Sequence, residues 1–392
     1  MKMMVCESLP EPVTGLLFSP DGRRLLVRHA GAACLLDAAT GRQLAAPGRQ
    51  RKNVSALAAS VTLDRFVVGF EDGSIALYDG EGSLLRQIKG AHDGRVGLAD
   101  FLPDGSRCLT GCENERTVIV RDATSGEPLV RLPPQETRLT CAAVSPDGSL
   151  VMTAADDGSV MIHAVADGQV VNRLWQAGKV YAAGFHPSLP LCFTAALDGS
   201  TILWNYQEER DLAVLFEDAE SDRTGFSADG RFFAGYTAQM ETWAGIWDGQ
   251  TGRLLRRIED GQSAVCDLAF APSGSLLAVV GRDGAVSLHD AADSGLVRLV
   301  SLGSETARRA NREQCLCWSA DGSLLATSGH DRTIRLWSGC DGRPLAQLAC
   351  RMPPTRLAFT PDGRSLFTGD MSGTVLCHAL DEFDTRRVTI MR

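Results

Sequence analysis

Lysine is nearly absent from this 392-residue sequence: Lys2, Lys52, Lys89 and Lys179 are the only four among 39 basic residues. Such an arginine-dominated set points to a GC-rich bacterial genome and carries no mechanism by itself. No apolar run reaches the ~20 residues that a membrane helix needs. The opening residues, Met1-Lys2-Met3-Met4-Val5-Cys6-Glu7-Ser8, lack the apolar core of a secretory signal, so the chain is expected in the cytoplasm. Net positive charge is missing as well. With 48 acidic against 39 basic residues the formal charge is −9 and the pI about 5.4, which excludes a chain-wide basic footprint for nucleic acid or acidic lipid. No segment sustains a 3.6-residue apolar period with caps, so long amphipathic helices are excluded. No Gly-x-Ser-x-Gly elbow sits in a strand–turn–helix setting, and no glycine loop has the form of a phosphate cradle.

What is present is an ordinary globular composition, 44% hydrophobic and 22% charged, with 40 glycines and 12 cysteines. Length alone suggests two or three domains. Internal repetition changes that expectation. A short apolar run followed by a Pro-Asp-Gly or Ala-Asp-Gly turn recurs at Ser19–Gly22, Pro103–Gly105, Ser145–Gly148, Ser227–Gly230, Pro272–Gly274, Ser319–Gly322 and Pro361–Gly363. Weaker copies stand at Thr62-Leu63-Asp64 and His186-Pro187-Ser188. From Gly22 to Gly363 the nine copies repeat about every 43 residues, a period that signals a solenoid or propeller.

Each period divides into four apolar runs of about six residues closed by Gly, Asp or Ser turns. One unit reads Ala264–Phe270, Ser275–Val280, Ala285–Asp290 and Gly295–Val300. These lengths suit strands and are too short for helices. Four short antiparallel strands repeated in this way predict an all-β propeller, because a single blade cannot bury both faces of its sheet and must stack on its neighbours.

The dipeptide Trp247-Asp248 closes a third strand, with Tyr78-Asp79, His289-Asp290, Trp204-Asn205 and Trp337-Ser338 as relatives, while Leu36-Asp37 and Arg121-Asp122 keep only the Asp. An Asp also recurs in the turn before the third strand, as Asp72, Asp157, Asp198, Asp283 and Asp331, where it can hold amides two residues on. On these motifs the chain resembles the WD40 repeat family over about residues 13–380, and is read as a stand-alone bacterial member. That resemblance implies a His of a Gly-His pair joined to Ser/Thr, Asp and Trp in a structural tetrad. Gly90-Ala91-His92 is the nearest match, the tetrad looks incomplete in every blade, and stability is expected to lean on apolar packing.

The literal count is nine four-stranded blades in a single closed ring, with seven or eight blades as the alternative. The units run approximately 13–47, 54–90, 91–133, 137–176, 177–218, 219–260, 261–303, 311–350 and 351–392, and residues 1–12 are expected to supply a ring-closing strand through Met3–Cys6. Arg387–Met391 is the rival at the other terminus.

Metal and catalytic chemistry find little support. Cys108 and Cys112 have ligand-like spacing, but four residues of extended strand span ~13 Å, too far for one zinc with sulfurs at ~2.3 Å unless the strand ends at Gly111. Cys315-x-Cys317 has no second pair. Buried thiols are the expected role. His163, His289 and His378 occupy the Trp position of the closing dipeptide, His186 replaces a turn Ser, and His29, His92 and His330 are loop or strand-end residues. No cofactor, metal or catalytic residue is assigned, and the chain is read as not an enzyme.

That leaves surfaces, since propeller loops ride on a rigid scaffold. Two connectors are long and basic: 47–53 with Arg49, Arg51 and Lys52, and 303–314 with Arg308, Arg309 and Arg312. They are expected to form a basic crescent for an acidic protein surface, Arg forks pairing carboxylates. An acidic stretch runs from Glu208 to Asp222. Trp175 and Tyr181 are candidate partner anchors, and Trp243 a core residue. The leading reading is a non-catalytic interaction scaffold in the cytoplasm, docking one or more proteins or peptides on its loop face, with no membrane contact. The alternatives are an enzyme or ligand sensor using the central channel, for which Arg223 and Arg356 are the only hint, and nucleic-acid contact through the crescent.

Overall fold

The structure, a computed structural model, describes residues 3–380 apart from 10, 30, 47–52, 61, 209, 217–223, 238–242, 260–264, 283, 293–295, 301–314 and 330, with backbone only for strands 3–8 and 296–300. The described residues form nine four-stranded antiparallel sheets and contain no helix. None of them therefore belongs to a helix long and apolar enough to cross a membrane. Blades 1 to 9 begin at Val13, Val54, Val96, Leu139, Val180, Thr224, Val265, Leu316 and Pro354. In each blade the first strand lies innermost, against the first strand of a neighbour, and the fourth lies on the rim.

The burial patterns follow from that stacking. Second and third strands are covered on both faces and read as continuous apolar runs, such as Leu150–Ala155 and Thr117–Asp122, whereas rim strands such as Leu84–Ile88 are exposed along most of their length. The cores lie between blades. Leu102, Leu109, Val118, Val120 and Leu132 of blade 3 pack on Leu139, Val151 and Val165 of blade 4. Loss of one such leucine side chain costs about 2–5 kcal/mol, depending on how far the site collapses.

Blade 9 closes the ring. Its fourth strand is Met3–Ser8, antiparallel to Thr374–Ala379 with Met3 opposite His378 and Ser8 opposite Thr374. Leu9 N then donates to Gly373 O at 2.9 Å, and the Leu9 side chain enters the blade 9–blade 1 core beside Val13, Leu25 and Phe367. The rival Arg387–Met391 lies outside the described residues.

The recurrent first turn is fixed by a hydroxyl–carboxylate clasp. Ser19 Oγ donates to Asp21 Oδ1 (2.7 Å) and accepts from Arg24 N (3.0 Å), while Asp21 Oδ1 accepts from Arg23 N (2.9 Å). The clasp repeats at Ser145–Asp147, Ser227–Asp229, Ser319–Asp321 and Thr360–Asp362. The hydroxyls of Ser145, Ser319 and Thr360 hold Asp147, Asp321 and Asp362 below the ordinary carboxyl range. His186 does the hydroxyl's work in blade 5: its Nδ1 accepts from Ser188 N and Leu189 N, and its Nε2 donates to Gly230 O of blade 6.

These turns also lock to one another. Gly22 sits at φ 70°, a conformation that favours glycine, and a Cβ there would meet Pro361 Cδ of blade 9 at 2.8 Å. Gly148 stands likewise on Pro103, Gly230 on His186 and Gly322 on Pro272, each turn resting on that of the blade before it.

Candidate docking surface

The turns between second and third strands, together with the connectors between blades, share the face opposite the Asp-Gly turns. The predicted Asp turns form there: Asp72, Asp157, Asp198 and Asp331 each accept from the amide two residues on, at 2.9–3.2 Å. Asp283 lies outside the described residues.

Beneath this face no blade holds the full His, Ser/Thr, Asp and Trp set among the described residues, but partial networks form, and the expected reliance on apolar packing needs correction. The fourth residue of the second strand is threonine in five blades, and each of these hydroxyls meets the side chain that replaces or retains the closing Trp. Trp204 and Trp337 Nε1 donate to Thr194 and Thr327 at 2.8 and 2.9 Å. His163 and His378 Nε2 meet Thr153 and Thr368 at 3.0 and 3.3 Å, and Arg121 Nε donates to Thr110 at 3.1 Å. In the other blades Val27, Val68, Gly235 and Val279 stand at that position, and in blade 7 the His289 ring meets Ser287 Oγ at 2.9 Å instead. The sequence concealed the networks because the partners are substituted: Arg or His for Trp, and Gln135 and Gln176 for His. Gln135 N donates to Arg116 O of blade 3 while its Nε2 reaches Thr153 Oγ1 of blade 4 at 2.8 Å. Gln176 ties blade 4 to Thr194 and Ser200 of blade 5 in the same way.

Blade 3 carries the fullest version. His92 Nδ1 lies 2.7 Å from Glu115 Oε2 and its Nε2 2.9 Å from Thr110 Oγ1. Glu115 Oε1 also accepts from Asp93 N. One proton assignment satisfies every group: Arg121 donates to Thr110, Thr110 to His92 Nε2, and His92 Nδ1–H to the carboxylate. Burial lowers the His92 pKa and keeps the ring neutral, Glu115 only partly opposing it. Cys112 Sγ lies within 4.8 Å of the His92 and Glu115 ligand atoms, a triad of metal-binding types. In this assignment both ring nitrogens are engaged, so binding an ion at the triad would break the relay. Cys108 and Cys112 stand on one unbroken strand, Arg107–Cys112, so they cannot share an ion, and burial pushes the Cys108 thiol up to about 12.

The fifth positions of the inner strands carry mostly small side chains. At one level stand Leu17, Ala58, Asp100, Ala143, Gly184, Gly225, Ala269, Cys317 and Ala358; Leu17 is 43% exposed, and a Cβ on Gly225 would meet nothing within 4 Å. Asp100 is the only charge among them. Confinement raises its pKa, while the Phe101 amide opposes this at 2.8 Å. The charged groups one level away are tied to backbone. Arg356 Nε donates to Thr14 O (3.0 Å) and its Nη1 to Thr355 O (2.7 Å), stapling blade 9 to blade 1. Asp267, 1% exposed, accepts from Leu316 N at 3.0 Å across the blade 7–8 junction. Arg356 is thus a staple across the seam; Arg223 lies outside the described residues.

At the junction of blades 4 and 5 the loop face is different. Trp175 ends the rim strand Val170–Trp175 opposite Ser159 and is 65% exposed. Its Nε1 donates to Asp157 O at 3.2 Å, which fixes the indole against the turn. The chain passes through Gln176 to Lys179, whose Nζ lies 3.1 Å from Asp156 Oδ1 and whose carbonyl accepts from Leu197 N at 2.8 Å. Leu197, on the next turn, is 51% exposed. Tyr181 is half-buried on the bulge between Val180 and Ala182 of the inner strand. Toward blade 3, Glu113 is held by Arg138 and lies 3.7 Å from Arg95.

Among the other candidates, Arg49, Arg51, Lys52, Arg308, Arg309 and Arg312 fall outside the described residues, as does most of the acidic stretch; Glu208 there pairs with Arg210. Trp243 is half-buried against Phe216 and Trp247, with the Arg257 guanidinium 4.7 Å from its ring centre, in keeping with a core role. Leu197 and the Asp156–Lys179 pair were missed in the sequence. The legible signal was Leu197 itself, an apolar residue where the turns of blades 2, 4 and 7 carry Glu71, Asp156 and Arg282, and only Met371 of blade 9 is comparable among the described residues.

The sequence model described as "WD domain, G-beta repeat" matches residues 126–163, 252–290 and 314–338, so these segments are WD40 repeats. Among curated proteins the chain is 24% identical over 327 residues to Periodic tryptophan protein 2 of Arabidopsis thaliana, covering 81% of this chain and 35% of the relative. It is 28% identical over 206 residues to WD repeat-containing protein VIP3 of the same plant, 50% and 63% of the two chains. A 93-residue stretch, 24% of this chain and 21% of the relative, is 37% identical to WD repeat and SOCS box-containing protein 1 of Xenopus tropicalis. The chain thus spans from about a fifth to under two thirds of the length of these relatives. They are eukaryotic, and the bacterial origin read from the arginine bias finds no support in them. Among solved structures the computationally designed Ika8 protein superposes with a TM-score of 0.62 at 24% identity, over 86% of this chain and 99% of that one, a likeness of fold.

Proposed function

We propose that this WD40-repeat propeller is a non-catalytic docking platform for a protein or peptide partner in the cytoplasm, and that the rim of blades 4 and 5 on the loop face is one docking surface. The observation that carries the reading is the exposure of Trp175 and Leu197 on adjacent turns of a rigid frame. The fold needs neither. The strand's inward residue is Leu174, 6% exposed, and the positions equivalent to Trp175 in blades 2, 3 and 8 hold Lys89, Pro133 and Ala349. Aromatic anchors of this kind lead interface hot spots.

Selection of a random-peptide library on the immobilised protein tests this. Binders should be recovered and should be lost on the Trp175→Ser/Leu197→Ser variant, whose exposed positions leave the fold unchanged. Equal recovery on both proteins refutes the surface. The arginine-rich connectors 47–53 and 303–314 are proposed as a separate contact for an acidic partner surface, on their charge alone.

A further inference from the structure

We infer that the blade 4–5 rim takes a basic segment, with an arginine or lysine side chain stacked on the Trp175 indole and an aliphatic neighbour over Leu197. The inference rests on the docking reading above and specifies the chemistry of its partner.

Three observations carry it. First, the indole N–H is already satisfied at Asp157 O (3.2 Å), so the group left for a partner is the π face, and its orientation is set before binding. A cation over such a face is attracted by the ring quadrupole. Second, the carboxylates beside it are in excess. Asp156 is paired with Lys179 at 3.1 Å, but Asp157 and Asp198 have no cationic partner among the described residues. Each turns one oxygen, Oδ1, inward to its own turn, on Ser159 and Ser200. The rim is therefore negative around an aromatic plate, the complement of a cationic side chain. Third, the one cation of this protein close along the strand does not use the plate: Arg173, two residues back on the same side, directs Nη1 to Met161 Sδ at 3.5 Å. Leu197, on the adjoining turn, supplies the apolar contact that a bare ion would not need, which favours a peptide over a free amine.

Two synthetic peptides test the inference, an acetylated Gly-Arg-Leu-Arg-Gly amide and its Gly-Glu-Leu-Glu-Gly counterpart, titrated against full-length protein. The readout is the Trp175 indole N–H resonance, assigned through Trp175→Phe. The arginine peptide should shift that resonance saturably and the glutamate peptide should not. Trp175→Leu, which keeps an apolar side chain and removes the quadrupole, should weaken the arginine peptide by about 3- to 30-fold. Asp157→Asn and Asp198→Asn should weaken it further and flatten its salt dependence. A glutamate peptide that binds with loss on Trp175→Leu overturns the basic partner and leaves the docking surface standing. Arginine-peptide binding unmoved by Trp175→Leu overturns the site. Absence of binding by either peptide overturns the inference, and the library selection then decides the docking reading separately.

Discussion

Two buried imidazoles make a measurable demand on pH. His163 and His378 stand where the repeat prefers Trp, exposed by 0% and 1%, and burial lowers each pKa from 6.5 to about 4. An unfolded chain takes up a proton on each ring as pH falls through about 6.5, whereas the folded chain refuses it until about 4. The unfolded state therefore binds more protons in that window, and stability, complete above about 6.5, declines as pH falls toward about 4. Between pH 7.5 and 4.5 the linkage amounts to about 2–3 kcal/mol per histidine, or about 5 kcal/mol for the two. The urea midpoint of the wild type should fall accordingly over this range. In a His163→Gln/His378→Gln variant, which keeps a hydrogen-bonding group and loses the titration, the share of that decline due to these two rings should vanish, leaving what His92 and His186, whose pKa burial also lowers, contribute. A second pair, His163→Trp/His378→Trp, restores the residue that Trp204 and Trp337 use toward the same threonine and should flatten the profile equally. Carboxylates of the turn clasps titrate below about 4 and do not enter the window. If either double variant keeps the wild-type slope between pH 7.5 and 4.5, the linkage argument fails.

Arg121→Met should destabilise by about 2–4 kcal/mol in urea unfolding, because Ala91 O and Gly126 O lose their donors inside the blade 2–3 joint; Arg121→Trp, which can still donate to Thr110, should cost less. Deleting residues 1–8 removes the fourth strand of blade 9 and bares its edge, so the melting temperature should drop by several degrees, and an unchanged transition would contradict the closure. Reversing Arg49, Arg51, Arg308 and Arg309 to Glu should abolish capture of an acidic partner fragment by pull-down while the circular-dichroism spectrum stays the same; retained capture counts against the crescent.

The all-β architecture and the nine blades were legible because the period, the turn Asp-Gly pairs and the six-residue runs are local signals, repeated often enough to survive a poor copy such as Thr62-Leu63-Asp64. The joints between blades were harder to read. His92 was legible only as a strand-end residue, since its partner Glu115 stands in a turn one residue longer than its counterparts and Arg121 replaces an aromatic. Gln135 and Gln176 do the work of a histidine without resembling one. Arg356 looked like a channel charge and is a backbone staple, a distinction that depends on which carbonyls the next blade brings within 3 Å. Trp175 could be marked as standing one residue past the core Leu174; the acid pair and Leu197 beside it come from other turns, and only the stacking of blades assembles them.

The overlap of the Asp-Gly turns has a consequence for how such a chain can change. Each overlapping glycine leans on the blade behind it, and the overlap continues across the seam, where Gly22 meets Pro361. The circle has no first slate. Duplicating or losing one repeat would leave every local sequence intact, yet the angle between neighbours would have to change at all of these contacts together. The rim hairpins at Gly82, Gly126, Gly168 and Gly252 lean on the preceding blade as well, so insertions there or in the overlapping turns disturb two blades. Variation in length should accordingly collect on the loop face, and the turn face should act as the gauge that keeps the number of blades.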